Sequence, residues 1–198
     1  MTTSSPTAHT IPIVPSGRWD VDPVHSSVQF AVKHMGISTV RGRFTEFEGA
    51  LDVGADLASS GCQGKVIVAS ITTNDDQRDR HLLSEDFFDA EQYPEITFRS
   101  THVDGVDEET SLVYGNLTMH GVTHEIRFDV VISGTDEDPW GNTRVGLGAV
   151  GVIRRSDFDM KFNQSLGSGK MVVGDKVSIS LDISAVKAEL DRQDRTSD

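Results

Sequence analysis

Apolar and polar residues alternate with a period of two along most of this chain, and one helical stretch interrupts the pattern. Eight runs carry the alternation: 24–33, 40–53, 61–71, 96–103, 112–119, 124–132, 144–155 and 176–186. All are rich in β-branched and aromatic residues, so they read as strands. In the first run Val28, Phe30 and Val32 share one face, and Ser27, Gln29 and Lys33 share the other. In the second, Phe44 and Phe47 fall out of phase, which predicts a bulge at Thr45 and Glu46. His120-Gly121 reads as a tight hairpin turn between the fifth and sixth runs. The seventh run carries Gly146, Gly148 and Gly151, which would weaken a strand unless it bends or leaves room beside a cavity.

The interruption is 73–100, TNDDQRDRHLLSEDFFDAEQYPEITFRS. Asn74 is the expected N-cap, because its side-chain oxygen can accept from an unpaired N–H of the first turn. Asp75 and Asp76 would then lie at the positive end of the helix dipole. Asp76 and Arg80 are four apart, and a pair there contributes ~0.3–0.5 kcal/mol. Leu82, Leu83, Phe87 and Phe88 all come late, so the segment is expected to dock by its C-terminal end, as a lid would. Tyr93-Pro94 stops it.

The 198 residues suffice for one domain with its own core. Lys and Arg number 18 against 31 Asp and Glu, giving a formal charge of −13. That charge argues against nucleic acid or an anionic membrane surface as main partner. Cys62 is the single cysteine, which rules out an intrachain disulfide. MTTSSPTAHTIPIVPSG has neither the basic nor the apolar region of a secretory signal, and no apolar run reaches the ~18–20 residues that span a bilayer. The expectation is a soluble cytoplasmic protein without membrane insertion. Residues 1–16 read as a loosely attached arm, 17–188 as the folded domain and 189–198 as a polar tail.

An even number of alternating runs joined by short links fits an antiparallel sheet closed into a barrel. A two-sheet sandwich fits the same pattern. Six motifs then stand in order: DPVHSSVQFAVKHMG (22–36), RGRFTEFEG (41–49), RDRHLLSEDFFDAEQYPEITFRS (78–100), GNLTMHGVTHEI (115–126), IRRSDFDM (153–160) and VGDKVSISLDI (173–183). Together they resemble the YceI-like family of lipocalin-like proteins, over residues 19–188. The resemblance implies an all-β fold, an extended antiparallel eight-stranded lipocalin-like barrel with one short helix at the mouth. It also implies non-catalytic binding, transport or storage of a polyisoprenoid or similar long-chain amphiphilic lipid in the lumen. A typical relative would carry Phe and Asn where this chain has Leu147 and Arg154, and Gly where it has Asp159.

Strand parity nominates the lumen residues: Val28, Phe30, Val32, Phe44, Val66, Val68, Ile96, Phe98, Leu117, Ile126, Phe128, Leu147, Val177 and Ile179. The same positions would form the core if the interior were dry. Arg78 and His81 are the head-group candidates; Arg154, Arg155 and Lys161 form a second basic group. No cofactor, metal or catalytic residue is expected, and a homodimer is left open. His124-Glu125 lacks the second histidine of a zinc-protease motif, and Gly167–Lys170 lacks the first glycine and the Ser/Thr of a P-loop. His25, His34, His102 and His120 are scattered over strands and turns, and only the fold could assemble a metal site from them. Two other functions fit the residues: an enzyme acting on an apolar substrate at the barrel mouth, and a stress-related interaction protein with a dry core.

Overall fold

The structure, a computed structural model, describes residues 14–107 and 109–188. It contains the strands β1 (Gly17–Val21), β2 (Ser27–His34), β3 (Ser38–Phe44), β4 (Phe47–Val53), β5 (Gly61–Ile67), β6 (Ile71–Thr72), β7 (Glu95–Gly105), β8 (Thr110–Met119), β9 (Val122–Glu137), β10 (Thr143–Arg154) and β11 (Val173–Lys187), with one α-helix, α1 (Asp76–Leu83). All pairings are antiparallel, and β1 closes the ring by pairing both β4 and β11. β11 pairs β2 along Val177–Asp182 and β1 at Ala185–Lys187, so β1 and β2 form one long strand. β3–β4 and β5–β6 are likewise single long strands that are locally broken. The result is a closed eight-stranded barrel. Among the described residues, no helix is long and apolar enough to cross a membrane.

Each break has a local cause. Asp22 caps a 3-10 turn at Pro23–His25 by accepting from the Val24 N–H. The first run therefore begins as a strand only at Ser27, and Val24, expected within it, is 83% exposed. The break between Phe44 and Phe47 falls at the residues whose phase had slipped. There the N–H groups of Thr45 and Glu46 donate to the Ser70 hydroxyl at 3.2 and 3.0 Å. Ser70 lies in a second 3-10 turn, Val68–Ser70, which interrupts the third run. His120 and Gly121 both take left-handed φ, 52° and 73°, and turn β8 directly into β9. β9 runs on to Glu137, past the loop expected from residue 133. Gly134 at φ 131° and the register shift at Gly146/Leu147 bend this pair instead of ending it.

The N-terminal arm lies outside the described residues up to 13, and the whole tail from 189 does too. Val14 is packed: it is 6% exposed and clusters with Trp19, Val145 and Ala185 at one end of the barrel. Trp19 donates its indole N–H to the Pro15 carbonyl at 3.1 Å.

Helix α1 and the turns that follow it sit at the opposite end. Its N-cap is Asp75, which accepts from the Arg78 N–H at 2.9 Å, and not Asn74. Asn74 holds φ 62°, a conformation Asn tolerates better than most residues, and this shifts the cap by one position. The Asp76–Arg80 pair does not form. Asp79 is the helix carboxylate that is engaged, accepting from the Thr73 N–H at 2.9 Å. The helix ends at Ser84, well before Tyr93, so Phe87 and Phe88 belong to the turns beyond it.

Candidate functional site: the lumen and its basic mouth

The barrel interior holds a cavity of about 370 Å³ with an almost wholly apolar surface. Volumes of this order fall in the range of small-molecule sites. It reaches from Val14 and Leu57 at one end to Leu82, Phe87, Phe88 and Met160 beneath α1 at the other. Strand parity places the wall. Val28, Phe30, Val32, Phe44, Val66, Ile96, Phe98, Leu117, Phe128, Leu147, Val177 and Ile179 all line it. Val68 and Ile126 do not. Val68 falls in the 3-10 turn, where the period of two is lost, and Ile126 packs into the apolar clusters around Leu117 and Phe128. The anchors Leu82, Phe87 and Phe88 were legible as a docking surface for the helix, and they also cap the cavity.

The glycines of β10 do not enlarge this space in the way expected. Gly146 and Gly148 have the parity of the exposed Val150 and Val152, so they face outward. Gly151 faces inward, but the ring of Phe128 fills its place, 2.9 Å from where a Cβ would stand.

Cys62 lines the cavity, and burial pushes its thiol pKa up. Its environment favours the protonated, packed form over a nucleophilic thiolate. Among the described residues, no group of three His, Cys, Asp or Glu is placed to hold a metal ion.

A second pocket of about 380 Å³ adjoins the lumen beside α1, and the two share Phe30, Val32, Leu82, Phe87 and Val173 as lining. Lys33, His34, Arg78 and His81 line this second pocket, and none of its lining residues is Asp or Glu. In a chain of charge −13, the ionisable groups of this lining are all basic, with Asp79 and Asp86 bonded to Thr73 and His81. The structure thus brings both head-group candidates to one place and adds Lys33 and His34, which sequence spacing could not connect to them. Arg78 is already engaged, donating to the Thr73 hydroxyl at 2.7 Å and to the Thr73 carbonyl at 2.9 Å. His81 meets Asp86 at 2.8 Å and stands edge-on to Phe87 and Phe162.

The second basic group separates. Arg154 faces outward to Asp175 at 3.2 Å, and Lys161 pairs with Asp159. Arg155 turns inward and lines the lumen. Asp159, where a typical relative would carry Gly, sits at φ 59° after the turn Arg155–Phe158, so a glycine would meet no steric cost there.

A profile of the YceI-like domain matches residues 19–185. The chain belongs to this family. The YceI-like chain is 36% identical over 162 residues to the UPF0312 protein SERP2314 of Staphylococcus epidermidis, covering 81% of this chain and 92% of that protein. It is similar in structure to the YCEI protein of Campylobacter jejuni, at 29% identity and TM-score 0.68, covering 79% and 90% of the two chains. Two more distant likenesses show the fold alone. One is BcnA of Burkholderia cenocepacia, at 24% identity and TM-score 0.73, covering 83% and 98%. The other is a polyisoprenoid binding domain from Saccharophagus degradans, at 16% identity and TM-score 0.64, covering 86% and 98%.

Proposed function

We propose that this YceI-like barrel carries or stores a polyisoprenoid or similar long-chain amphiphile in its lumen and performs no chemistry on it. The apolar cavity running from Val14 to the underside of α1 supports this reading most directly. Burying apolar carbon is worth ~0.8 kcal/mol per methylene-sized group, so a tail of roughly fifteen carbons offers on the order of 10 kcal/mol before the cost of ordering it. A charge-assisted hydrogen bond at the head adds ~1.5–3 kcal/mol. The tail therefore supplies affinity, and the polar end supplies orientation. The pocket of Lys33, His34, Arg78 and His81 is where the polar end would emerge.

Native mass spectrometry of the purified protein, followed by solvent extraction, tests the reading. A co-purifying long-chain lipid is the expected result, with affinity in fluorescence displacement that rises with chain length. A protein that is empty and binds no long-chain amphiphile overturns it. The head-group assignment fails separately if Arg78→Ala and His81→Ala leave the affinity for a prenyl phosphate unchanged.

A further inference from the structure

Arg155 is 6% exposed, yet it lines an apolar cavity. A buried guanidinium ordinarily comes with a carboxylate, because an unpaired charge in a low-dielectric interior is costly. Arg155 has none within ion-pair distance. Its Nε donates to the Gly174 carbonyl at 3.0 Å and its Nη1 to the Met160 carbonyl at 2.6 Å. Asp175 acts on it only at longer range and is itself bound to Arg154 and to the Ser156 N–H. A guanidinium has five N–H donors. The Nη2 group and the second Nη1 hydrogen have no acceptor among the described residues. Burial lowers the pKa of Arg155, but a guanidinium starts so high that it stays charged. The guanidinium lines the lumen and is bonded to Gly174, the residue after Val173, which lines both cavities.

We infer that Arg155 binds an oxyanion, a carboxylate or phosphate, on the end of the lumen ligand, and so selects acidic lipids over neutral ones of the same length. The inference rests on the lumen reading above and deepens it. The planar fork of a guanidinium matches either oxyanion through two parallel hydrogen bonds. Its two backbone contacts hold the fork in place before any ligand arrives, so little further ordering is needed. The ligand then lies with its acid end under α1 and its tail directed toward Val14 and Leu57. An uncharged alcohol of equal chain length buries the same carbon but leaves the guanidinium without its counter-charge.

The test compares matched pairs in displacement assays on the full chain: geranylgeranyl phosphate against geranylgeraniol, and palmitate against hexadecanol. The wild-type protein is expected to prefer the acid of a pair by roughly tenfold to a hundredfold. A preference in the first pair alone marks a phosphate end, in the second alone a carboxylate end, and in both a general oxyanion site. Arg155→Gln keeps a donor for the backbone carbonyls and is expected to bring each favoured pair near parity. Should the Gln variant fail to fold, Arg155→Lys, which keeps the charge without the fork, is expected to lose part of the preference. Equal wild-type affinity for acid and alcohol overturns the inference while leaving lumen binding intact. So does a preference that survives in the Arg155 variant and disappears in Arg78→Ala/His81→Ala. Binding of neither member of either pair brings down the lumen reading itself.

Discussion

Gly42 lies directly across the β2–β3 pair from Phe30, so close that a Cβ at position 42 would stand 2.3 Å from the tip of the Phe30 ring. The pattern recurs around the wall: the ring of Phe98 covers Gly115, and that of Phe128 covers Gly151. Each ring takes the space that a side chain at the glycine would need. Aromatic residues on an inner wall would otherwise close a cavity this narrow. Gly42→Ala is therefore expected to push the Phe30 ring into the space it lines. Overpacking of this kind costs about 1–3 kcal/mol. Chemical denaturation should show that loss, and displacement assays should show weaker binding of long tails. A Gly42→Ala protein with unchanged stability and unchanged tail affinity would remove the glycine–ring argument.

Much of this architecture was legible in the sequence, and the reason is the two-residue period. Eight long runs, the phase slip at Thr45 and Glu46, the His120-Gly121 turn and most of the wall follow from alternation alone, since each strand must present one face inward. What alternation does not encode was missed. Strand β1 is five residues, GRWDV, too short to display a period. The 3-10 turns at Pro23–His25 and Val68–Ser70 reset the phase, which misplaced Val24 and Val68. Gly151 looked like vacant space because the ring that fills it comes from another strand. Arg155 was legible in principle, since it continues the inward parity of Leu147 and Ile153 past the end of β10. Its neighbour Arg154 and nearby Lys161 made all three look like one basic surface.

Trp19 is fully buried and Trp140 is 81% exposed, and they are the two tryptophans of the chain. In a Trp140→Phe protein, emission therefore reports on Trp19 alone. It is expected to be blue-shifted and poorly quenched by iodide. Val14 packs against Trp19 at the end of the lumen, so Val14→Ala in that background should cost about 1–3 kcal/mol and move the emission to the red. An unchanged spectrum and unchanged unfolding midpoint would mean that the N-terminal segment does not seal this end.

Arg144 donates to Asp22 at 2.7 Å and to Asp138 at 2.8 Å, tying the β9–β10 loop to the break between β1 and β2. Its guanidinium, helped by His25, holds the Asp22 carboxyl down to about 2. The side chain of Asn142, followed by Arg144, lowers Asp138 as well. An unfolded aspartate titrates near ~3.9. A depressed folded pKa contributes stability that is fully present above the unfolded value and disappears as pH falls through the folded one. For Asp22 that window runs from about pH 4 down to about 2. Allowing for solvent screening of a surface-lying pair, Asp22→Asn should cost about 1 kcal/mol at pH 7 and close to nothing at pH 2. Denaturant titrations of both proteins at the two pH values check this. A difference that is equal at both would show that the charge of Asp22 carries none of the loss, since Asn keeps the oxygen that caps the 3-10 turn.

Thr73 decides how firmly α1 covers the lumen. It is 5% exposed, donates its N–H and hydroxyl to Asp79, and receives two hydrogen bonds from Arg78. One side chain thus fastens two helix residues to the end of β6, while Leu82, Phe87 and Phe88 hold the far end by apolar contact. Thr73→Val keeps the shape and removes the hydroxyl, leaving a carboxylate and a guanidinium each short of a partner. Stranding half-buried polar groups costs about 1 kcal/mol, and here the loss should fall on the local opening of α1 more than on the barrel. Hydrogen exchange is the suitable readout: amides of Asp76–Leu83 should exchange faster in the variant while those of β8 and β9 keep their protection. Ligand on- and off-rates should both increase if α1 must lift for the tail to pass, with the equilibrium affinity little changed. Faster exchange in α1 with unaltered ligand kinetics would place the entry route elsewhere, and uniform loss of protection across the sheet would make Thr73 a residue of global stability and not a latch.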